Sequence, residues 1–392
     1  MERYGQYRDR ASGIAPFFPI PSPATSPLWL PWHLILFSLR VPLLATAWII
    51  WLTLIQFLPA GSPLRKANQW CLLGIPGVWW VDIQIDGVRR GSIYKRFERM
   101  PRGGCVVAAG WTTPLDVLYL AAIFDPIFTQ SYADGKLVRP LTQESALAAC
   151  LDITNPLTLL TGHEPLTTLS DLLAKNPSRV IVVFPEGTPS NGRAILRLTP
   201  SLASAGEETR VYPVSVRYSP MDIATPIPGW LEVLRFIWRL NSSQSHTIRV
   251  RVGGAITAGS RPVFTNNGLG DGGADSGATT TARQAAADRA SLATSDSSPA
   301  TTPNRTPRRG GFESNYFDTL QRSPEQQAVD ARPGGDDARA AGVELEQGEQ
   351  RMLDEVADNL ARLGRVKRVD LGVEEKEKFV QAWKGGNRRG KR

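Results

Sequence analysis

The chain has 392 residues, of which 42% are hydrophobic and 21% are charged, and its formal net charge is +8. The positive residues cluster after an apolar segment and at the C-terminus, with no basic face of interleaved aromatic rings, so we expect membrane lipids with anionic headgroups, and no nucleic acid, as partners. The three cysteines are too few for a disulfide framework and fit a reducing compartment.

The first predicted element after an N-terminal cytosolic or interfacial segment, residues 1–27, is strongly apolar. From residue 28 to residue 58 nearly every side chain is apolar, with Arg40 and Pro42 as interruptions. One helix of this length would measure roughly 45 Å, longer than the roughly 30 Å hydrocarbon core of a bilayer. The sequence leaves open a single span by the second half, a kinked span, or two half-length helices that enter one leaflet. We predict that residues 28–81 are membrane-embedded.

Residues 82–256 alternate runs of β-branched residues with helical runs, which predicts an α/β domain. We expect a mostly parallel mixed sheet flanked by helices. The predicted strands are 80–85, 105–109, 127–132, 179–184, 211–217 and 247–252, and the predicted helices are 115–124, 143–151 and 166–175.

A first polar turn joins the predicted strand at 105–109 to the predicted helix at 115–124. It reads Gly110-Trp111-Thr112-Thr113-Pro114-Leu115-Asp116. The turn therefore brings two hydroxyl groups and one carboxylate to the end of a strand.

A second polar turn follows the predicted strand at 179–184, whose β-branched residues are typical of a sheet covered on both faces. The turn reads Pro185-Glu186-Gly187-Thr188-Pro189-Ser190-Asn191-Gly192. In open α/β sheets ligands lie beyond the carboxyl ends of the strands, so Glu186 and Thr188 are candidate site residues. Gly187 lets the backbone come close to a bound group.

Both turns resemble sequence blocks of the glycerol-phosphate and lysophospholipid acyltransferases. Residues 183–192 are similar to the third block, F-P-E-G-T followed by x-S-N-G, and residues 110–116 have the layout of the first block, N-H-x-S-x-x-D. In that family the third block contacts the phosphate and glycerol of the acyl acceptor. The resemblance implies substrate contacts at the matching positions, which are Thr113, Glu186, Gly187, Thr188, Ser190 and Asn191.

A basic residue is also expected beside the third block. Many family members carry arginine where this chain has Pro189, and the x-S-N-G version supplies the basic residue slightly later, where Arg193 stands here. A guanidinium pairs with phosphate through two hydrogen bonds, so Arg193 is the predicted phosphate anchor.

The first block departs from the family pattern at its catalytic histidine. In the family that histidine takes the proton of the acceptor hydroxyl while the aspartate holds the imidazole. Trp111 stands at the histidine position, and an indole has no basic nitrogen. Asp116 and Thr112 remain candidate catalytic residues. Among the histidines His33, His163 and His246, the candidate substitute base or phosphate contact is His163, which precedes the third block.

The wider pattern is similar to the lysophosphatidic acid:oleoyl-CoA acyltransferase group, in the N-terminal segment, the T-T-P-L-D turn, a G-H-E sequence and the closing F-V-Q-A-W. This resemblance implies transfer of an acyl group from acyl-CoA, a co-substrate, to lysophosphatidic acid in glycerophospholipid and triacylglycerol synthesis. It implies no cofactor and no metal. The alternative is a catalytically impaired lipid-binding or interaction protein that kept the fold.

The expected location is the endoplasmic reticulum membrane or the surface of a lipid droplet. More basic residues follow the apolar segments than precede them, which favours a cytosolic catalytic domain.

The last part of the sequence changes composition twice. Residues 257–338 are rich in small and polar residues and are predicted to be a disordered linker. Residues 339–392 are predicted to form amphipathic helices at 343–363 and 373–383, followed by a basic tail. These helices have three open placements: on the catalytic domain, on a membrane, or against another protein.

Overall fold

A seven-stranded mixed sheet lies at the centre of the fold. This computed structural model describes residues 2–22, 26–88, 99–133, 135–151, 165–257 and 345–389, with the backbone alone at 2–3 and 386–389. The predicted linker at 257–338 lies outside the described residues, apart from its first residue.

The elements follow one another in the order that the sequence predicts. The strands are β1 Val78–Ile85, β2 Val106–Ala109, β3 Ile127–Ser131, β4 Val138–Leu141, β5 Ile181–Val183, β6 Ala194–Ile195, β7 Val211–Ser219, β8 His246–Val252 and β9 Lys367–Arg368. The helices are α1 Leu30–Thr53, α2 Pro63–Gly74, α3 Pro114–Phe124, α4 Gln143–Leu151, α5 Leu169–Lys175, α6 Trp230–Ser242, α7 Gln347–Gly364 and α8 Val373–Arg389.

The main sheet has the strand order β1-β8-β7-β2-β5-β3-β4. The pairs β7–β8 and β3–β4 are antiparallel, and the other neighbours are parallel. The predicted fold class, a mostly parallel mixed sheet flanked by helices, is therefore confirmed. The sequence analysis missed the helices α2 and α6 and the strands β4, β6 and β9. In the edge strand β4, Pro140 lacks the N–H of a regular strand residue, and proline is tolerated at a sheet edge.

The central strands are buried on both faces, as their β-branched sequence predicts. In β2, Val107 packs in a cluster with α3 and α4, whereas Val106 and Ala108 pack in a second cluster with α5 and α7. In β5, Val182 belongs to the first cluster and Ile181 to the second. Helices on both faces leave the carboxyl ends of the strands as the place where polar turns emerge.

The apolar N-terminal segment forms one continuous helix, α1, which contains Pro42. With its flanking turns, Pro27–Phe57 is the helix of the described residues that is long and apolar enough to cross a membrane. Only 11% of its most apolar stretch is buried inside the protein. This weakly favours membrane association.

The tryptophan-rich stretch that follows α2 does not stay within the apolar segment. It forms the start of β1, where Trp79 and Trp80 are largely exposed. The sequence predicts that these rings belong to the membrane-embedded segment, residues 28–81, and that remains a prediction.

The two C-terminal helices dock on the α/β domain, which decides between the three placements left open by the sequence. Val356 and Leu360 of α7 are fully buried against the sheet. In α8, Phe379 is fully buried among the N-terminal side chains Phe17 and Phe18. Residues near both ends of the chain therefore meet beside the sheet.

Candidate active site

The two polar turns lie side by side because they follow β2 and β5, which are parallel neighbours. The backbone N–H of Ser190 donates to the carbonyl of Trp111 at 2.8 Å. The indole of Trp111 stacks on the Phe184 ring with a centroid distance of 4.8 Å. Residues that are far apart in the sequence thus form one wall, as the family resemblance implies.

Asp116 is fully buried at the start of α3 and accepts four hydrogen bonds. Its Oδ2 accepts from the N–H of Thr112 at 2.7 Å, from the Thr112 hydroxyl at 2.9 Å and from the N–H of Thr113 at 3.0 Å. Its Oδ1 accepts from the Tyr218 hydroxyl at 2.7 Å. Burial raises the pKa of Asp116 to about 6, and the Tyr218 and threonine donors oppose a larger rise.

Glu186 is the second buried carboxyl, with 1% of its surface exposed. Burial raises its pKa to about 8, and the negative charge of Asp116 contributes to this rise. The N–H groups of Leu196 and Trp111 and the Ser190 hydroxyl lie near the carboxyl and oppose the rise. The Glu186 carboxyl therefore lies next to the first turn, which also carries Asp116.

Two glycines bring the turns close together. A Cβ at Gly110 would lie 3.3 Å from Oε1 of Glu186, and a Cβ at Gly192 would lie 3.1 Å from Cγ2 of Thr112. Gly192 also has a positive φ of 70°, which favours glycine. The close contact of the turns therefore depends on residues without a side chain.

Gly187 and Thr188 line one cavity, of about 500 Å³, together with Trp111 and Cys150. Burial raises the pKa of the Cys150 thiol well above its usual range, so this cysteine is not a thiolate at neutral pH. The opposite wall comes from α8 and includes Lys376. We call this space the Thr188 cavity.

Lys376 is a site residue that the sequence analysis missed. It is 6% exposed, and its Nζ donates to the carbonyl of Pro189 at 2.6 Å. The ammonium therefore lies beside the position where many family members carry arginine. Its neighbours Glu374, Glu375 and Glu377 give the segment the pattern of a solvated helix face, so the sequence offers no signal for a buried lysine.

The remaining third-block residues have different surroundings. Ser190 is fully buried, and Asn191 Nδ2 donates to the carbonyls of Ala15 and Phe18 at 2.8 and 2.9 Å. Asn191 thus holds the N-terminal segment against the turn. Arg193 is exposed and lines a second cavity, of about 620 Å³, which does not include Thr188.

None of the described histidines contacts the Asp116 carboxylate. A ring nitrogen of His33 lies 2.7 Å from the Ser242 carbonyl, and one of His246 lies 3.0 Å from the Leu240 carbonyl. His163, the predicted substitute base, lies outside the described residues. Trp111, at the histidine position, is 2% exposed and fills its space with the indole.

The comparison with family models defines the class of this domain. Residues 92–219, which contain both polar turns, match the model described as Acyltransferase. The predicted resemblance is confirmed: the part of the chain that carries both polar turns is similar to the acyltransferase family.

One curated relative matches beyond that domain. The chain is 28% identical over 243 residues to the "Putative lysophosphatidic acid:oleoyl-CoA acyltransferase" of Schizosaccharomyces pombe (strain 972), which covers 60% of this chain and 80% of the relative. Among solved structures, the 1-acyl-sn-glycerophosphate (LPA) acyltransferase PlsC from Thermotoga maritima matches with a TM-score of 0.30 and 15% identity, over 60% of this chain and 89% of that one. A TM-score of 0.30 is too low to relate the sites of the two proteins.

Proposed function

We propose that this protein transfers a fatty acyl group from acyl-CoA to the free hydroxyl of a lysophospholipid, with lysophosphatidic acid as acceptor and phosphatidic acid as product. The observation that supports this most is the meeting of Asp116 and Glu186 in one site inside an acyltransferase-family domain. In the reaction the acceptor oxygen attacks the thioester carbon, the carbon–sulfur bond breaks, and the acceptor proton passes to the CoA thiolate.

Asp116 is the proposed proton acceptor, acting through Thr112. The Thr112 hydroxyl is half-buried and donates to Asp116. It hands this proton to the carboxylate as it takes the proton of the acceptor hydroxyl. A carboxyl with a pKa of about 6 is mostly ionised at neutral pH and is a stronger base than an ordinary aspartate. This relay needs no imidazole at Trp111.

Glu186 is proposed to act in its protonated form. With a pKa of about 8 it carries a proton at neutral pH, so it can donate a hydrogen bond to an oxygen of the substrate. Gly187 and Thr188 then hold the reacting groups in the Thr188 cavity. The ammonium of Lys376, on the opposite wall, stabilises the negative charge that develops on the thioester oxygen.

The helix α1 is proposed to lie along one leaflet rather than cross the bilayer. One face of α1 binds the domain from end to end: His33 lies beside the Ser242 carbonyl, Arg40 donates to the carbonyl of Ser243, and Trp51 donates to Glu144. These contacts attach α1 to the domain near its start, its middle and its end, which supports a position along the membrane surface. The opposite face exposes large apolar side chains, including Ile35, Leu39, Leu43 and Ile50.

We propose that the catalytic domain lies on the cytosolic surface of the endoplasmic reticulum, where acyl-CoA is available. A monotopic helix also fits the monolayer of a lipid droplet, which a bilayer-spanning helix does not. The exposed side chains of Trp230 and Leu231 at the start of α6 extend the same apolar surface, since α6 packs beside α1 through the rings of Trp238 and Phe37.

The second candidate function is lipid binding without catalysis. The observation that favours it is the buried stack of Trp111 on Phe184, which occupies the place of the family's base. In this case the fold would hold a lysophospholipid without activating its hydroxyl.

An assay of the purified full-length protein tests the choice between acyl transfer and lipid binding. The protein, in detergent, is supplied with labelled oleoyl-CoA and lysophosphatidic acid. We expect labelled phosphatidic acid from the wild type and little from Asp116→Asn or Glu186→Ala. If the wild type forms no more product than these variants but still binds the acceptor, the lipid-binding function is correct.

The His163→Gln variant tests the remaining histidine. If Asp116 is the proton acceptor, turnover stays within about threefold of the wild type. A loss of about a hundredfold or more, the range of a general base, would assign that role to His163 instead.

A further inference from the structure

A further cavity lies at the opposite end of the sheet from the two polar turns. It is formed where β3 begins, where α3 ends and at Arg179, which leads into β5, whereas the turns follow the carboxyl ends of the strands. The end of α1 and the starts of α2 and α4 contribute Trp51, Arg65 and Glu144 to its lining. We call this space the Trp51 cavity. Its volume of about 370 Å³ is within the range of small-ligand sites, roughly 300–1,000 Å³.

Two guanidinium groups share one carboxylate on the positive side of the Trp51 cavity. Asp125 Oδ1 lies 3.1 Å from Nε of Arg65 and 3.8 Å from a terminal nitrogen of Arg179. Burial lowers the pKa of Arg179, and the positive charge of Arg65 contributes to this fall. One carboxylate cannot neutralise two guanidinium groups, so this side keeps a net positive charge. The Nε of Arg179 is also buried and has no hydrogen-bond partner among the described residues.

Glu144 forms the negative side of the Trp51 cavity. Its carboxylate accepts a hydrogen bond from the indole N–H of Trp51, and no ion pair in the part of the chain that the structure describes includes it. The face of the same indole lies against Arg65, whose Cζ is 5.2 Å from the ring centroid. Trp51 is 1% exposed, so the ring is fixed. The cation and the anion therefore contact one buried ring but do not form an ion pair with each other.

Opposite charges that are held apart in one cavity attract a ligand that carries both charges. A phosphate group suits the arginine side, because a guanidinium binds phosphate through two hydrogen bonds. An ammonium group with N–H donors suits Glu144, because carboxylate oxygens accept hydrogen bonds. A quaternary ammonium has no such donor and prefers an open aromatic face, but the aromatic rings of this lining, Trp51 and Phe128, are buried.

The residues next to the Trp51 cavity are apolar and exposed. Gln56 and Arg65 line the cavity, and their neighbours in the sequence include the largely exposed side chains of Leu54, Phe57 and Leu64. These side chains continue the exposed apolar face of α1. A lipid headgroup in the cavity would thus leave its acyl chains beside apolar side chains.

We propose that the Trp51 cavity binds the headgroup of a membrane phospholipid with an ethanolamine group, its phosphate at Arg65 and Arg179 and its ammonium at Glu144. This lipid docks the protein on the membrane and is not a substrate, because the cavity lies at the other end of the sheet from the turns that carry Asp116 and Glu186. The inference rests on the proposed position of α1 at a membrane surface and goes beyond the proposed acyl transfer.

A titration with the soluble headgroup tests the cavity directly. The probe is sn-glycero-3-phosphoethanolamine, titrated calorimetrically into the full-length protein in detergent, and sn-glycero-3-phosphocholine is the weaker-binding comparison with the same phosphodiester. Glu144→Gln should weaken binding of the ethanolamine ester about tenfold, because it removes one charged hydrogen-bonding partner. Glutamine still offers an oxygen to the Trp51 N–H, so the fold should be kept. Arg179→Gln should weaken this binding by a similar factor.

The matched controls are Glu208→Gln and Arg351→Gln, which remove exposed charges outside the Trp51 cavity. They should leave the affinity within about twofold of the wild type. Thermal unfolding midpoints show whether the variants fold, and if Arg179→Gln is unstable, Glu144→Gln decides alone. Equal affinity of the wild type for the two esters, or undiminished binding by Glu144→Gln, would overturn the proposal.

Vesicles test whether the headgroup comes from a membrane. The full-length protein is mixed with vesicles of phosphatidylcholine, or of phosphatidylcholine and phosphatidylethanolamine in equal parts, and the bound fraction is measured by flotation. We expect several-fold tighter binding to the mixed vesicles, a preference that Glu144→Gln removes and Glu208→Gln keeps. Binding of the soluble ester without this preference would assign the cavity to a free metabolite and refute the lipid. An absence of acyl transfer would refute the proposed function but leave both binding results unchanged.

Discussion

The two polar turns bury their carboxyls to the same depth but differ in the hydrogen bonds that they provide. Asp116 accepts four hydrogen bonds, two of them from hydroxyl groups, and its pKa rises only to about 6. Glu186 is less well compensated, and its pKa rises to about 8. Burial alone would protonate both groups, so the donors around Asp116 decide which carboxyl is ionised at neutral pH.

This difference gives the two carboxyls different chemical roles. Between pH 6 and pH 8 the site holds one carboxylate and one carboxylic acid, a base beside a hydrogen-bond donor. The proposed activity should therefore rise as the pH increases through about 6, and it should fall as the pH increases through about 8.

Asp116→Asn should have the largest effect, because it removes the base and leaves a side chain of the same size. We expect kcat to fall by roughly a thousandfold. The measurement is the initial rate of phosphatidic acid formation, with the thermal unfolding midpoint as the control for folding. A loss below about tenfold would mean that the proton goes elsewhere.

Comparing Glu186→Gln with Glu186→Ala separates the loss of the titrating group from the loss of the hydrogen-bond donor. Glutamine keeps a donor at all pH values, so its activity should remain within about tenfold of the wild type and should lack the alkaline fall near pH 8. Alanine should lose about a hundredfold or more. If the glutamine variant keeps the alkaline fall, another group titrates there.

A comparison of the wild type with Glu186→Gln also tests how the free energy of unfolding changes with pH. The folded protein holds the Glu186 proton up to a pH of about 8, whereas the unfolded chain releases it near the ordinary glutamate pKa of 4.5. The wild type should thus lose on the order of a few kcal/mol of unfolding free energy between these pH values, relative to Glu186→Gln. Urea unfolding at pH 5 and pH 9 measures the difference.

Tyr218→Phe should shift the pH dependence of the rate. Its loss of rate should be smaller than that of Glu186→Ala. Its hydroxyl stabilises the Asp116 carboxylate, so its removal should raise the Asp116 pKa and shift the acidic side of the profile upward by about one pH unit. The rate at pH 8 should fall only a few fold. An unchanged acidic side would show that Asp116 is not the group that titrates.

Trp111→Phe should have the smallest effect on turnover. The indole has no basic nitrogen, and phenylalanine retains a ring to stack on Phe184, so kcat should stay within about threefold. The smaller ring leaves a gap, and the free energy of unfolding should fall by about 1–3 kcal/mol. A large loss of kcat with normal stability would give Trp111 a direct chemical role.

The sequence was a good guide where local patterns decide the structure. The β-branched runs predicted the central strands, and the turns after β2 and β5 were predicted from the motifs that follow Ala109 and Phe184. Asp116 and Glu186 lie on the two turns, which meet through the hydrogen bond of Ser190 with Trp111. The ionisation of these groups could not be predicted, because it depends on burial and on Tyr218, which lies more than a hundred residues away from Asp116.

Contacts made by the terminal segments were also beyond the sequence. Lys376 lies in a run of charged residues, which gives no sign of its place in the Thr188 cavity. That place depends on the packing of α8, in which Phe379 contacts Phe17 and Phe18, a long-range contact without a local pattern.

That aromatic cluster has a consequence for how the enzyme matures in the cell. The Asn191 side chain donates hydrogen bonds to the N-terminal segment, and the same segment packs against α8, the helix that carries Lys376. The wall of the Thr188 cavity that α8 supplies therefore cannot form before residues 373–381 have left the ribosome.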